Sequence, residues 1–303
     1  MAVLANHTAG RGRHRRLVPA ILERLAEAGR PLLPLTAGTG ASAEAACREA
    51  VAGGVTALVA IGGDGTLHAA LQALAGTRVP LGVVPAGTGN DLAIGFGFPG
   101  TPLAAAEAVA TALRERRSRV LDLARVTGAD GAQRWYGGVL AAGFDAIVNE
   151  RANRMRWPRG DRRYDLAIFA ELVRLRPRHY QLELDGVRHE LDGVLVAVGN
   201  IASYGGGFRI CPDADPTDGL LDVLVAGRIG RFTLTRLRPR AYRGTHVEHP
   251  LVTVHRARVV RLGVGRVGSG GGPAGITSYA DGERCLPLPV TIAAVPGALA
   301  VLA

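Results

Sequence analysis

The sequence predicts an α/β region followed by a mainly antiparallel β region, and three observations lead there. Over about the first 120 residues, short apolar runs alternate with segments whose apolar residues recur at helical spacing. One of these runs, Val55–Ile61, carries no charge, as a central parallel strand buried on both faces requires. After Arg119 the pattern turns to strand-like runs, one at strict period two beside a hairpin signal.

The elements follow in chain order. Val3-Leu4-Ala5 is a short strand. Leu17, Val18, Ile21, Leu22 and Leu25 share a helix face that runs up to Gly29, a C-cap. Leu32–Leu35 is a strand, Ser42–Ala52 a helix, Val55–Ile61 the central strand, Thr66–Leu74 a helix and Leu81–Val84 a strand. Such alternation predicts an open sheet whose ligands sit at the carboxyl ends of its strands. Beyond it, Val120–Val126 and Tyr136–Ala142 are expected as strands and Tyr164–Leu175 as a helix. His179–Leu184 alternates at period two and meets Asp185-Gly186, a hairpin signal. Gly193–Val198, Leu220–Val225, Leu251–Val260, Ser278–Ala280 and Val290–Ala294 complete the strands. The change of pattern near residue 125 divides the chain into 1–124 and 125–294. Gly268–Gly272 is expected to be a flexible loop.

With 303 residues, the chain holds about two domains at roughly 150 residues each. Hydrophobic residues at 48% and charged residues at 20% exclude a disordered chain. The net charge is +10, and with no lysine every basic side chain is arginine. Nucleic acid, an anionic membrane surface, phosphate-bearing ligands and plain compositional bias are all compatible with that charge. Aromatic content of 5% gives little support for stacking on single-stranded nucleic acid. Cys47, Cys211 and Cys285 form no paired spacing, which argues against a disulfide framework or a cysteine-rich zinc site and fits a reducing cytoplasm. No signal-peptide pattern opens the chain. The uncharged stretch Leu286–Ala303 is broken by Pro287, Pro289 and Pro296, so it is expected as short strands and not a membrane anchor.

The central strand runs into Gly62-Gly63-Asp64-Gly65-Thr66, with a helix behind it. Glycines there let the backbone approach an anion, and the helix N-terminus favours phosphate. Asp64 suits holding Mg²⁺ or accepting a proton, the alternative being an Asp cap in a tight turn. The next strand ends in Pro85-Ala-Gly87-Thr88-Gly89-Asn90-Asp91, a second glycine-rich turn that could share one nucleoside triphosphate with the first. Neither turn is a Walker A loop or a dinucleotide fingerprint. Without lysine, arginine, backbone N–H groups and metal are left to neutralise phosphates. Four Asp residues crowd Cys211–Asp222, where Asp side chains at i and i+3 with a carbonyl at i+5 can wrap a hard cation; a polar turn is the alternative. Asp281-Gly-Glu283 is by itself a hairpin tip, and Asp122 is half-buried by pattern, as a structural or a functional group.

Taken in order, these motifs resemble the diacylglycerol kinase catalytic domain and its soluble bacterial lipid-kinase relatives. Asn6-His-Thr-Ala-Gly10 is similar to the family's opening Asn-Pro-x-Ser-Gly, with Pro and Ser replaced. Val120-Leu-Asp122, Ala142-Gly-Phe-Asp145, Gly199-Asn200 and Asp281-Gly-Glu283 match later family segments. The resemblance spans nearly the whole chain. It implies a Rossmann-like α/β nucleotide domain followed by a β-sandwich domain, with the active site in the interdomain cleft. It also implies that the tail from about residue 295 returns to the first domain. ATP and Mg²⁺ are then expected as cofactors. Asn6, Thr36, Gly62, Gly63, Asp64, Gly65, Thr66, Gly87, Thr88, Gly89 and Asn90 would hold the nucleotide. Asp64, Glu283 and Asp122 would be catalytic, with Asp64 and Glu283 competing as proton acceptor. Asp215, Asp218 and the Leu220 carbonyl would hold a structural Mg²⁺; Thr217 stands where the family often has a second acid.

Two arginine groups remain. Arg11, Arg13, Arg15 and Arg16 could reach phosphates or begin a solvated helix. Arg151, Arg154, Arg156, Arg159, Arg162 and Arg163 cluster around Trp157 ahead of an apolar helix, as an anionic bilayer surface or a solvated face would have it. The expected activity is an ATP-dependent lipid kinase, with diacylglycerol as acceptor, cytoplasmic and peripheral to a membrane. The alternatives are an NAD kinase-like phosphotransferase or a basic nucleotide- or nucleic-acid-binding protein. A homodimer is compatible with the chain.

Overall fold

The computed structural model describes residues 1–6, 9–12, 14–155, 157, 162–265 and 275–303. The first half is a parallel sheet flanked by helices. Its strands are β1 (Ala2–Ala5), β2 (Leu33–Leu35), β3 (Leu58–Gly62) and β4 (Leu81–Pro85), arranged β2-β1-β3-β4. Between them run α1 (Val18–Ala26), α2 (Gly40–Ala52) and α3 (Asp64–Leu74); α4 (Asp91–Gly95) and α5 (Pro102–Glu115) follow β4. All five residues of β3 and of β4 are buried, as expected of strands covered on both faces. Thr39 caps α2 by accepting from the Ser42 N–H, with Ser42 returning the bond.

Two long strands join this half to the next. β5 (Arg119–Gly128) leaves the first half, and β16 (Val290–Val301) comes back to it at the end of the chain. They pair antiparallel from Val290↔Gly128 to Val301↔Arg119, with a register shift between Val295 and Leu299. At Val301, β16 also pairs parallel with Leu81 of β4, so Leu299, Val301 and Leu302 are buried in the first core. Pro296 therefore does not end the strand at Ala294, as the sequence pattern had it; it sits at the register shift, where the ladder is already broken.

The second half is a β-sandwich, as expected. One layer extends the first sheet through β16, β13 (Val259–Val264), β8 (Arg178–Leu184) and β9 (Val187–Gly193), with β6 (Gln133–Tyr136) on β5. The other is β12 (Val252–Ala257), β11 (Leu221–Ala226), β10 (Leu195–Gly199), β7 (Val139–Gly143), β14 (Thr277–Ala280) and β15 (Glu283–Pro287). Val196 and Val198 of β10 face the core between the layers, while Leu195 and Ala197 face a separate cluster on the outer side. That outer side meets α8 (Arg231–Arg243); α6 (Phe144–Arg154) packs on α7 (Arg162–Val173) nearby.

Two expected strands are each split. Tyr136–Ala142 breaks at Gly137-Gly138 into β6 and β7, which lie in different layers. Leu251–Val260 breaks at Arg258, so that β12 and β13 also serve different layers; the Arg258 and Val259 N–H groups donate to Asp185 of the β8–β9 hairpin. α5, α6 and α8 had no counterpart in the sequence pattern. The expected loop Gly268–Gly272 lies outside the described residues.

Candidate functional site

The carboxyl ends of β1, β3 and β4 lie side by side, since Ala5 pairs with Ile61 and Gly62 with Pro85. Three loops therefore meet there. The Asn6 N–H donates to Ile61 and its side-chain amide to the Thr66 hydroxyl at 3.3 Å. Thr66 is buried and packs on Gly62, whose absent Cβ leaves the room for it. The two glycine turns touch backbone to backbone: a Cβ on Gly87 would stand 2.6 Å from the Gly63 Cα. Asn90, in the left-handed region at φ 58°, folds its side chain back onto the Gly87 N–H at 2.8 Å. Together these residues form a side-chain-poor cradle ending at the N-terminus of α3, suited to an anion such as phosphate.

Carboxylates surround this cradle. Asp64 accepts the Leu92 N–H at 3.0 Å, which ties α3 to α4, and its Oδ2 faces Gly89. Burial pushes its carboxyl up to about 6; the Leu92 N–H opposes this, while the nearby Asp91 and Asp281 charges add to it. Asp91 is buried and accepts from the Gly206 and Gly207 N–H groups at 2.6 and 2.7 Å, linking the cradle to a loop of the second half. Asp281 reaches in from the β14–β15 hairpin. It accepts from Gly137 and Gly138 at 3.2 and 2.8 Å and pairs with His68 Nδ1 at 3.0 Å. Burial alone would lower the His68 pKa, but Asp281, with smaller help from Glu283 and Glu44, leaves it raised. Glu283 is exposed, with its Oε1 over Gly65, 2.8 Å from where a Cβ would stand. The split at Gly137-Gly138 thus has a local purpose: it aims two N–H groups at Asp281. Asn200 holds the split open by donating to the Gly137 carbonyl at 2.9 Å and the Asp122 carbonyl at 3.0 Å.

Asp64, Thr88, Gly89, Asp91, Gly138 and Asp281 line one cleft of about 410 Å³ between the halves. Of the sequence-expected residues, Asn6, Gly62, Gly63, Asp64, Gly65, Thr66, Gly87, Thr88, Gly89, Asn90 and Glu283 all gather at or around the cradle. Thr36 is exposed just past the edge strand β2. Asp122 is placed differently: its two oxygens accept the Gly219 and Gly297 N–H groups at 2.7 and 2.8 Å, a clasp between the acidic loop and β16. Asp91 and Asp145 stand in motifs the sequence offered but were given no role there, and His68 and Tyr204 were not singled out. His68 left a fainter local trace, one helical turn after Asp64.

Asp215, Asp218 and Asp222 of the acidic loop have protein partners. Asp215 accepts from its own neighbour Thr217, through the N–H at 3.0 Å and the hydroxyl at 2.6 Å. Asp218 accepts the Leu220 N–H at 2.9 Å and pairs with Arg256, which also reaches buried Asp222 at 3.1 Å. Burial raises the Asp222 carboxyl and Arg256 pulls it back. The guanidinium thus supplies positive charge to Asp218 and Asp222, while Asp215 is held by Thr217. No cluster of three His, Cys, Asp or Glu able to hold a metal occurs among the described residues.

Part of the arginine cluster around Trp157 is neutralised, with Arg151 paired to Glu171 and Arg154 to Glu150. Arg156 and Arg159 lie outside the described residues, as does Arg13. Trp157 itself is 81% exposed. Among the described residues no helix is long and apolar enough to cross a membrane.

Comparison with known proteins adds the following. Residues 1–126 match the family model described as the diacylglycerol kinase catalytic domain, and residues 138–303 the YegS C-terminal NAD kinase beta sandwich-like domain. A diacylglycerol kinase of Mycobacterium tuberculosis (strain ATCC 25618 / H37Rv) is 43% identical over 304 residues, covering 100% of this chain and 94% of its own length. A probable lipid kinase YegS-like of Xanthomonas oryzae pv. oryzae is 36% identical over 190 residues, 60% of either chain. A solved structure of a diacylglycerol kinase from Bacillus anthracis str. Sterne shares the fold at TM-score 0.72 and 22% identity, covering 99% of this chain and 95% of that one.

Proposed function

The chain belongs to the diacylglycerol kinase family, and from that premise we propose that it moves the γ-phosphoryl group of ATP to a hydroxyl of a lipid, diacylglycerol by preference. The observation that carries this reading is the pair of glycine turns in backbone contact, with a carboxylate ionising near 6 beside them. Asn6, Gly62–Thr66 and Gly87–Asn90 would cradle the phosphates. Mg²⁺ arriving with the nucleotide would neutralise phosphate charge, with the exposed Glu283 carboxylate over Gly65 as the group facing it. Asp64 would accept the proton of the attacking hydroxyl, its raised pKa suiting that exchange near neutral pH. Asp281 and His68 would hold the β14–β15 hairpin, and Glu283 with it, over Gly65.

Membrane attachment is part of the same reading. α8 carries no acid, and Arg231, Arg236, Arg238 and Arg243 are exposed beside Phe232 at 77% exposure. Basic side chains with an interfacial aromatic suit an anionic bilayer.

The test is Asp64→Ala with labelled ATP and diacylglycerol in mixed micelles. We expect a fall in kcat of about a hundredfold or more with the protein folded by circular dichroism. In the parent, kcat/KM should drop on the acid side of about pH 6 as Asp64 takes up its proton. Near-normal phosphorylation by the variant would remove Asp64 from the reaction. A parent that phosphorylates NAD and no lipid would remove the acceptor assignment.

A further inference from the structure

Behind the cleft lies a second cavity, of about 350 Å³ and mostly apolar, between α6, α7, α8 and the outer face of β10 and β11. Val148, Ile168, Leu195, Leu224, Leu234 and Leu237 supply its walls. It shares Asn149, Tyr164, Tyr204 and Gly205 with the cleft that holds Asp64 and Asp281, so the two volumes abut across one partition. At that partition the Tyr204 hydroxyl donates to Asp145, a half-buried carboxyl at the edge of a mostly apolar wall. A carboxyl so placed, with its pKa raised by desolvation alone, is costly to stability. On the other side, α7 and α8 carry exposed apolar side chains, Leu166 and Phe169 at 44% and 65% and Phe232 at 77%. The cavity therefore has a polar inner end beside the cleft, apolar walls and helices with exposed apolar residues around it. Pockets of this size and lining take small apolar ligands oriented by a few polar groups.

We propose that this cavity holds one acyl chain of the acceptor lipid, and that Tyr204 and Asp145 turn its hydroxyl-bearing end into the glycine-loop cleft. The inference rests on the kinase reading for the word acceptor, though not for the chain-binding itself. Its chemistry suits an apolar chain whose inner end carries a hydroxyl able to hydrogen-bond with Tyr204 and Asp145.

Binding without nucleotide separates the two readings. Decanoylglycerol below its micelle concentration is titrated calorimetrically into the parent, Ile168→Trp, Leu234→Trp and the conservative Ile168→Leu. Filling the cavity with indole should weaken binding about tenfold or more, while Ile168→Leu binds as the parent does. In the kinase assay, the ratio of kcat/KM for didecanoylglycerol over dibutyrylglycerol should fall by about the same factor in the Trp variants. Tyr204→Phe should lower kcat on both acceptors more than it raises KM, which a wall residue alone would not do. Equal decanoylglycerol binding by a folded Ile168→Trp and Leu234→Trp overturns the proposal. If the parent phosphorylates no lipid yet binds decanoylglycerol, and the Trp variants lose that binding, the kinase reading falls and the chain-binding cavity stands.

Discussion

Asp64 shows how one side chain can hold two duties. One oxygen fastens α4 by accepting the Leu92 N–H, and the other is turned toward Gly89 and the cleft. Asp145 is the more exposed to pH in its energetics. Burial pushes its pKa from 3.8 to about 7, so the folded state binds the proton more tightly than the unfolded chain. The stability it contributes is full below about pH 4 and is lost as the pH rises through about 7. Asp145→Asn should therefore be more stable than the parent at pH 8, by up to a few kcal/mol, and lose that advantage at pH 4. Urea unfolding at the two pH values reads the difference. Of these residues, Asp64 was legible in sequence because its glycine neighbours and helix lie next to it in the chain. Asp281 and His68 are 213 positions apart, and only folding brings them together.

At the scale of elements, local pattern carried β3, β4 and the hairpin at Asp185-Gly186, where each strand reads as one apolar or alternating run. It missed α8, whose thirteen residues carry Arg at five positions and Pro239 within, so no apolar stripe stands out. Its buried residues are only Leu237 and Ala241. Reversing Arg236 and Arg238 to Glu should weaken binding to phosphatidylglycerol vesicles in a sedimentation assay by about thirtyfold or more, at roughly 1 kcal/mol for each lost attraction, and make it less sensitive to salt. Phosphatidylcholine vesicles are the control. The acidic loop was legible as a cluster of carboxylates, but its arginine partner was not, because Arg256 is remote in sequence from Asp218. Arg256→Ala should cost about 1–2 kcal/mol, discounted for an arginine side chain 48% exposed. Chelator should leave the parent's Tm unchanged; a Tm that drops in EDTA would place a metal there.

Across the whole molecule, β5 and β16 belong to both halves, and β16 places Leu299, Val301 and Leu302 in the first core. Calorimetry should therefore show one cooperative transition and not two. Asp122→Ala, which leaves the Gly219 and Gly297 N–H groups without their acceptor, should lower its midpoint, by about 1–3 kcal/mol of stability. The architecture was legible as two pattern regimes, whereas the return of the tail came from family resemblance. Nothing in the composition of Val290–Val301 says which core it will enter.

The register shift at Val295–Leu299 gives that junction a mechanical character. On either side of it the β5–β16 ladder is continuous and stiff against sliding, since any slip would break every paired bond at once. At the shift itself, the ladder is interrupted around Pro296 and Gly297, and the Asp122 carboxylate bridges the gap through Gly297. The junction thus resists shear along two runs of paired strand, and its one interruption is spanned by a side chain instead of by ladder bonds.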